Sequence, residues 1–121
     1  KEHGVQVIVH HSDSFAATLV PYMIEMGIDI WQGVMNSNNI PELIKMYGGQ
    51  ISFMGGIESA KVDYPGWTME DVERETAKAC QENGKLYYIP GTTIGGPMSI
   101  FPGVYQAVSE EIDKQSKICF K

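Results

Sequence analysis

One arrangement occurs four times along this chain: a strand-like apolar run, a cluster of turn or polar residues, and a stretch with helical spacing. The apolar runs lie at residues 5–9, 28–33, 50–54 and 86–89. Short apolar runs between turn signals are typical of buried parallel strands. Four successive strand–helix units predict a parallel sheet with right-handed crossovers, and the predicted fold class is therefore α/β.

The helical stretches have recognisable starts. The first helix is predicted to begin near Thr18 with Pro21 in its first turn, because an interior proline removes a hydrogen bond and clashes with the preceding turn. The second is predicted over residues 40–47, and the third after Thr68, which opens a Thr-x-x-Asp capping pattern. The fourth, from about residue 102, is expected to bury Val104, Tyr105, Val108 and Ile112.

Composition narrows the function classes. The 121 residues suffice for one domain, predicted over 1–121, and carry 15 acidic against 9 basic residues for a net charge of −6. With no basic cluster, a nucleic-acid partner is not expected. No apolar run reaches the roughly 20 residues of a membrane span. The two cysteines lack disulfide or zinc-finger spacing and no signal-peptide pattern is present, so we expect a reducing cytoplasm.

Four strand–helix units leave two architectures open. They are half of the eight units that close a (βα)₈ TIM barrel, which takes about 250 residues. The chain is therefore expected to be either part of a barrel or a small flavodoxin-like doubly wound domain. The first is an enzyme scaffold, and the second would suit a binding module without catalysis.

Five motifs follow one another at the strand and helix ends. They are Val-His-His-Ser-Asp, Gly-Ile-Asp-Ile-Trp, Phe-Met-Gly-Gly-Ile-Glu, Thr-Met-Glu-Asp-Val and Tyr-Ile-Pro-Gly-Thr-Thr-Ile-Gly-Gly-Pro. This ordered set resembles the carboxyl-terminal part of the uroporphyrinogen decarboxylase superfamily, which includes the decarboxylase of haem synthesis and corrinoid-dependent methyltransferases. The resemblance covers nearly all of the chain but only about the last third of a usual member. It implies strands five to eight of a (βα)₈ barrel.

The chain departs from both signatures of that superfamily. Its zinc methyltransferases end the fifth strand in His-x-Cys and carry a second cysteine after Pro-Gly; here His10 matches, but Ser12 and Thr92 replace the thiols. Hydroxyls are poor zinc ligands, so no metal is expected. The decarboxylases' Gly-His-Gly-like turn lacks its histidine here. The resemblance thus implies tetrapyrrole-related decarboxylation (a lyase) or methyl transfer without choosing between them, with any corrinoid held by a partner protein.

The candidate site residues lie at the strand ends, where barrels bind ligands. His10 and His11 alternate faces of the first strand. His10 is predicted to be a general acid or base or a ligand contact, and Asp13 to orient a histidine or bind a substrate amine or hydroxyl. The alternatives are a structural histidine and a helix-capping aspartate. Trp31 beside Gln32 would suit a flat tetrapyrrole, unless the tryptophan belongs to the core. The predicted substrate-binding residues are His11, Trp31, Gln32, Glu58, Thr92 and Thr93.

The predicted half-barrel is not a complete functional unit. A parallel sheet needs cover on both faces, and its unpaired edges invite association. We therefore expect either a homodimer or an amino-terminal half supplied by a longer parent protein. The 121-residue chain alone is expected to be inactive.

Overall fold

A computed structural model describes residues 2–93 and 101–119. These residues form a mixed α/β structure with one four-stranded, all-parallel sheet, which confirms the predicted class. The strand order across the sheet equals the order along the chain. The elements are β1 (Val9–His11), α1 (Val20–Glu25), β2 (Ile30–Val34), α2 (Ile40–Tyr47), β3 (Ser52–Ile57), α3 (Ser59–Val62), α4 (Met69–Asn83), β4 (Tyr88–Thr92) and α5 (Val104–Cys119). In this described part, no helix has the length and apolar character needed to cross a membrane.

The helices begin where the sequence predicts. A 3₁₀ turn at Ala17–Leu19 leads into α1, which carries its proline in the first turn, and α2 has the predicted bounds. The Thr68 hydroxyl accepts a hydrogen bond from the Asp71 N–H at 3.2 Å, so the capping pattern forms at the start of α4. The four-residue helix α3 was not predicted.

The strands are displaced from the apolar runs. β1 was predicted over residues 5–9, yet only Val9–His11 pair with β2 as strand residues. At the other side of the sheet, β3 continues through Gly55 and Gly56, beyond the apolar run that was predicted to end at residue 54. These glycines pair with Pro90 and Gly91 of β4. A Cβ added to Gly55 would lie 2.6 Å from the Val34 carbonyl oxygen, so glycine allows β2 and β3 to approach closely.

One face of the sheet carries the core. Trp31, Phe53 and Tyr88 are paired in register, and their side chains are 0 %, 0 % and 6 % exposed. They form one apolar cluster with residues of α1, α2, α4 and α5. The Trp31 and Phe53 rings meet edge to face with centroids 6.2 Å apart. Burial stabilises the fold by about 1.5–3 kcal/mol for a side chain of this size. We call this side the covered face.

The other side of the sheet, the open face, carries a second row of paired residues. His11, Gln32, Met54 and Ile89 stand next to one another in this row. Ile89 is 38 % exposed, whereas its neighbour Tyr88 on the covered face is buried. Parallel sheets are normally covered on both sides. Here the described residues leave the open face partly accessible, with both apolar and polar side chains on it.

A β-bulge at Gly33 divides β2. Gln32 pairs with Met54, but the next pair joins Val34 to Gly55, so Gly33 has no partner in β3. Side chains alternate along a strand, and without the bulge Val34 would share the face of Gln32. The extra residue returns Val34 to the core, where it is fully buried. Gly33 has a φ of +90°, a conformation that favours glycine.

Candidate functional site

A cavity of about 540 Å³ lies over the open face, toward the carboxyl ends of the strands. Its size suits a small organic ligand. The sheet and helix α5 form its walls. The lining residues are His11, Gln32, Met54, Pro90, Gly91, Thr92, Thr93, Tyr105, Val108, Ser109 and Ile112. The site predicted at the strand ends therefore has a physical counterpart in the structure.

The polar groups of the cavity come from three strands and one helix. His11, Gln32 and Thr92 belong to β1, β2 and β4, and Ser109 and Tyr105 belong to α5. Together they offer imidazole, amide and hydroxyl groups, which both donate and accept hydrogen bonds. Within the described part of the chain, the lining includes no lysine, arginine, aspartate or glutamate. The cavity is therefore suited to uncharged hydrogen-bonding groups, and His11 is the one histidine in its described wall.

The structure places His11 rather than His10 in this cavity. His11 pairs with Gln32 on the open face, whereas His10 pairs with Trp31 and so belongs to the side of the covered face. His10 is nevertheless exposed, because β1 is an edge strand, and it does not line the cavity. The alternation was predicted, but its phase depends on the pairing of β1 with β2. The acid–base role proposed for His10 fits His11 better.

Asp13 neither lines the cavity nor caps the helix that follows. It is exposed, and the first turn before α1 is capped from elsewhere. The Asn38 side-chain oxygen accepts hydrogen bonds from the N–H groups of Ala16 and Ala17 at 2.9 and 3.0 Å. The same amide donates to the Ser14 carbonyl at 3.1 Å. A cap from so far along the chain depends on tertiary contacts, which the local pattern around Asp13 does not contain.

Trp31 is a core residue and offers no ring face to the cavity. Its side chain is fully buried on the covered face, so the alternative to the ligand platform is the one observed. The indole N–H donates to the Ser12 carbonyl oxygen at 2.8 Å. Since Ser12 follows His11 directly, this bond fixes the backbone next to the cavity histidine. Gln32, its neighbour along β2, does line the cavity as predicted.

The remaining predicted contacts divide between the cavity and the α3 region. Glu58 precedes α3 and lies 3.8 Å from the Lys61 ammonium, and it does not line the cavity. Thr92 and Thr93 both line it. The Thr93 hydroxyl is already engaged, accepting from the Ser59 N–H at 3.2 Å. Thr92 is thus the better candidate for a ligand contact. Residues 94–97, the Ile-Gly-Gly-Pro end of the last sequence motif, lie outside the described residues.

The sequence prediction missed the contribution of α5 to the site. Tyr105, expected in the core, is 53 % exposed and lines the cavity together with Ser109 and Ile112. Their spacing of four and three residues places them on one face of a helix. The helical spacing of these residues was visible in the sequence. Which way this side of α5 points was not, because α5 also buries Val104 and Ala107 against the rest of the fold.

Metal binding and thiol chemistry receive no support at this site. Among residues 2–93 and 101–119, no three histidine, cysteine, aspartate or glutamate side chains are grouped as metal ligands require. The hydroxyls of Ser12 and Ser14 are hydrogen-bonded to each other, with their oxygens 2.8 Å apart. Burial raises the pKa of the Cys80 thiol to about 11, which disfavours the thiolate that binds metals. The absence of zinc remains a prediction.

A helix-covered sheet presents a cavity at its strand ends, with one histidine and several neutral polar groups in the wall. No protein-family model matches the chain, and no curated protein matches it significantly.

Proposed function

We propose that this chain is the carboxyl-terminal part of an enzyme domain of the uroporphyrinogen decarboxylase superfamily. One observation carries the proposal: four parallel strands in chain order present an open face with a cavity at their carboxyl ends. Flavodoxin-like domains reverse their strand order at a switch point, where their ligand binds. The unbroken order therefore supports a barrel arc, strands five to eight, over the doubly wound alternative.

The position of the cavity supports a catalytic role. In (βα)₈ barrels the active site is built at the carboxyl ends of the strands, from side chains of several different strands. His11, Gln32 and Thr92 meet that description. We assign His11 as the general acid or base, and Gln32 and Thr92 as groups that orient the substrate by hydrogen bonds. In the intact protein, residues of the other strands would complete the site.

The part of the wall that this chain contributes is better suited to methyl transfer than to decarboxylation. A porphyrinogen carries several carboxylates, which arginine and lysine recognise best. The cavity wall, as far as the structure describes it, offers none of these cations. A substrate that gives up a methyl group from a neutral centre fits this wall better. The reduced corrinoid of a partner protein would supply the acceptor for a methyl cation equivalent. His11 would donate a proton to the substrate atom that keeps the electron pair of the broken bond.

For the 121-residue chain by itself, a second copy is proposed to cover the open face. Ile89 and Val9 on that side are 38 % and 51 % exposed, and β1 and β4 are both edges of the sheet. In a two-fold arrangement, β4 of one copy would run parallel to β1 of the other and close eight strands. Alternatively, further residues of a longer parent chain would cover the open face. Light scattering on this chain compares the two: a dimer would support the second copy, and a monomer would support cover by a longer parent chain.

The decisive experiment compares both chemistries on the intact protein. Methyl transfer is followed by the absorbance of a corrinoid protein, and decarboxylation by the loss of porphyrinogen carboxylates. We expect methyl transfer, reduced about 10²- to 10⁴-fold in His11→Gln and little changed in His10→Gln, its exposed neighbour. Activity on neither substrate, with no corrinoid or porphyrin binding, would exclude the proposal. Cobalamin binding by this chain without turnover would favour a non-catalytic binding module.

A further inference from the structure

We propose that Gly33 is a positioning residue, which allows the imidazole of His11 to lie against β2 at the wall of the cavity. The catalytic consequence of this role rests on the proposed function, but the position of the His11 ring can be tested independently of any activity. It concerns a glycine that does not line the cavity and carries no chemistry of its own.

The contact between the two residues is close. A Cβ added to Gly33 would lie 3.0 Å from Cε1 and 3.1 Å from Nδ1 of His11. Ordinary van der Waals contacts of carbon begin at about 3.5 Å, so any side chain at position 33 would press on the ring. The same Cβ would lie 3.1 Å from the Ser12 carbonyl oxygen. With any other residue at this position, the imidazole or its neighbours would have to shift by a few tenths of an ångström.

The bulge brings the backbone of Gly33 to this position. Gly33 has no partner in β3 and a φ of +90°, which few residues other than glycine adopt. Bulges occur frequently beside active sites, where they redirect side chains. Here the bulge affects both faces of the sheet. It returns Val34 to the core, and it places the backbone of Gly33, which has no side chain, next to the His11 ring.

The backbone around His11 is fixed, so the ring is the part that would move. The Ser12 N–H donates to the Gln32 carbonyl at 2.9 Å, and the Trp31 indole donates to the Ser12 carbonyl at 2.8 Å. Both bonds hold Ser12, the residue after His11, to the part of β2 that directly precedes Gly33. An added methyl group therefore displaces the exposed imidazole from the wall more readily than it separates the strands.

Gly27 supplies a matched control. Its φ of +82° is close to that of Gly33, but a Cβ added there would meet nothing within 4 Å. Gly27→Ala thus imposes a similar backbone strain without touching His11. The difference between Gly33→Ala and Gly27→Ala separates the contacts of the added Cβ, with the His11 ring and the Ser12 carbonyl, from the strain of a positive φ. The His11 ring signals then report on the contact with the ring.

Nuclear magnetic resonance tests the position, and kinetics of the intact protein test its consequence. In the wild type we expect a nuclear Overhauser contact between the His11 ring protons and the Gly33 Hα protons. In Gly33→Ala the His11 ring signals should move, whereas Gly27→Ala should leave them in place. Turnover should fall about 10- to 100-fold in Gly33→Ala, with an altered pH profile, and keep its profile in Gly27→Ala.

The two proposals fail in different ways. Absence of the Overhauser contact in the wild type would overturn the positioning role whatever the activity, and needs no variant that folds poorly. Unchanged His11 signals or an unchanged pH profile in a folded Gly33→Ala protein would overturn it as well. A confirmed contact in a protein that turns over neither substrate would overturn the proposed function and leave the positioning role standing.

Discussion

The two faces of the sheet are built from alternate residues of the same strands, and they differ sharply. Trp31 and Phe53 are completely buried on the covered face, whereas Gln32 and Met54, one position along each strand, line a cavity on the open face. Because side chains alternate between the two faces along each strand, one residue contributes to the core and the next is available to contact a ligand. Substitutions at adjacent positions should therefore have separate consequences, and they allow the comparison to be tested.

The largest effect is expected where the core is cut. Phe53→Ala should lower the free energy of unfolding by about 3–5 kcal/mol, because it removes a fully buried ring and leaves a cavity against Trp31. Met54→Ala, its neighbour on the open face, should cost under about 1 kcal/mol. Urea denaturation followed by circular dichroism measures both. An equal cost at the two positions would show that the open face is buried in solution.

The attachment of α1 to the covered side should depend on one amide. Asn38→Ala removes the acceptor for the Ala16 and Ala17 N–H groups and should cost about 1–3 kcal/mol, because buried donors are left unsatisfied. Ser37→Ala, at an exposed neighbouring position, is the control and should lie within about 0.5 kcal/mol of the wild type. Thermal unfolding of the three proteins compares them. A cost at position 37 equal to that at 38 would rule out the remote cap.

A charge on the open face should change association and not the intrinsic stability of the monomer. Ile89→Lys should leave the free energy of unfolding of the monomer within about 0.5 kcal/mol of the wild type, since Ile89 is 38 % exposed. It should nevertheless convert the proposed dimer to a monomer, measured by light scattering. Gln81→Lys, on an exposed part of α4, should leave the mass unchanged. A wild-type chain that is monomeric and unfolds cooperatively would contradict the paired half-barrel.

The smallest effect concerns a carboxylate far from both faces. Hydrogen bonds from the Tyr64 hydroxyl and the Arg74 guanidinium lower the pKa of Asp71 from 3.8 to about 2. A carboxyl group whose pKa is lower in the folded state stabilises the fold above its unfolded pKa, and loses this contribution as the pH falls. The difference in unfolding free energy between wild type and Asp71→Asn should therefore shrink from pH 4 to pH 2. A difference constant over that range would refute the assignment.

Local patterns predicted the helices well. The bounds of α2 and the Thr68 cap of α4 follow from residues next to one another in the chain. The parallel sheet also followed from the succession of units. The limits of β1 did not, since residues 5–9 are apolar enough for a strand and only the pairing with β2 decides that Val9–His11 form it. The same pairing decides which histidine reaches the cavity.

The candidate site was predicted in part. His11, Gln32, Thr92 and Thr93 line the cavity as expected from their places at strand ends. Trp31 does not, because its large aromatic ring is stabilised by burial against Phe53. The sequence alone does not show that these two rings are neighbours. Tyr105 and Ser109 could not be assigned, because the direction in which α5 turns its exposed face depends on packing against α4 and β4.

The unbroken strand order has a consequence for how the chain folds. Each strand pairs with the one that precedes it in sequence, so no strand has to be inserted between two that have already formed. The sheet can grow in one direction, as each new unit docks on the last. The step from β3 to β4 spans α3 and α4 and closes the longest loop, so we expect it to be the slowest. Substitutions in β4 should then slow refolding more than those in β2.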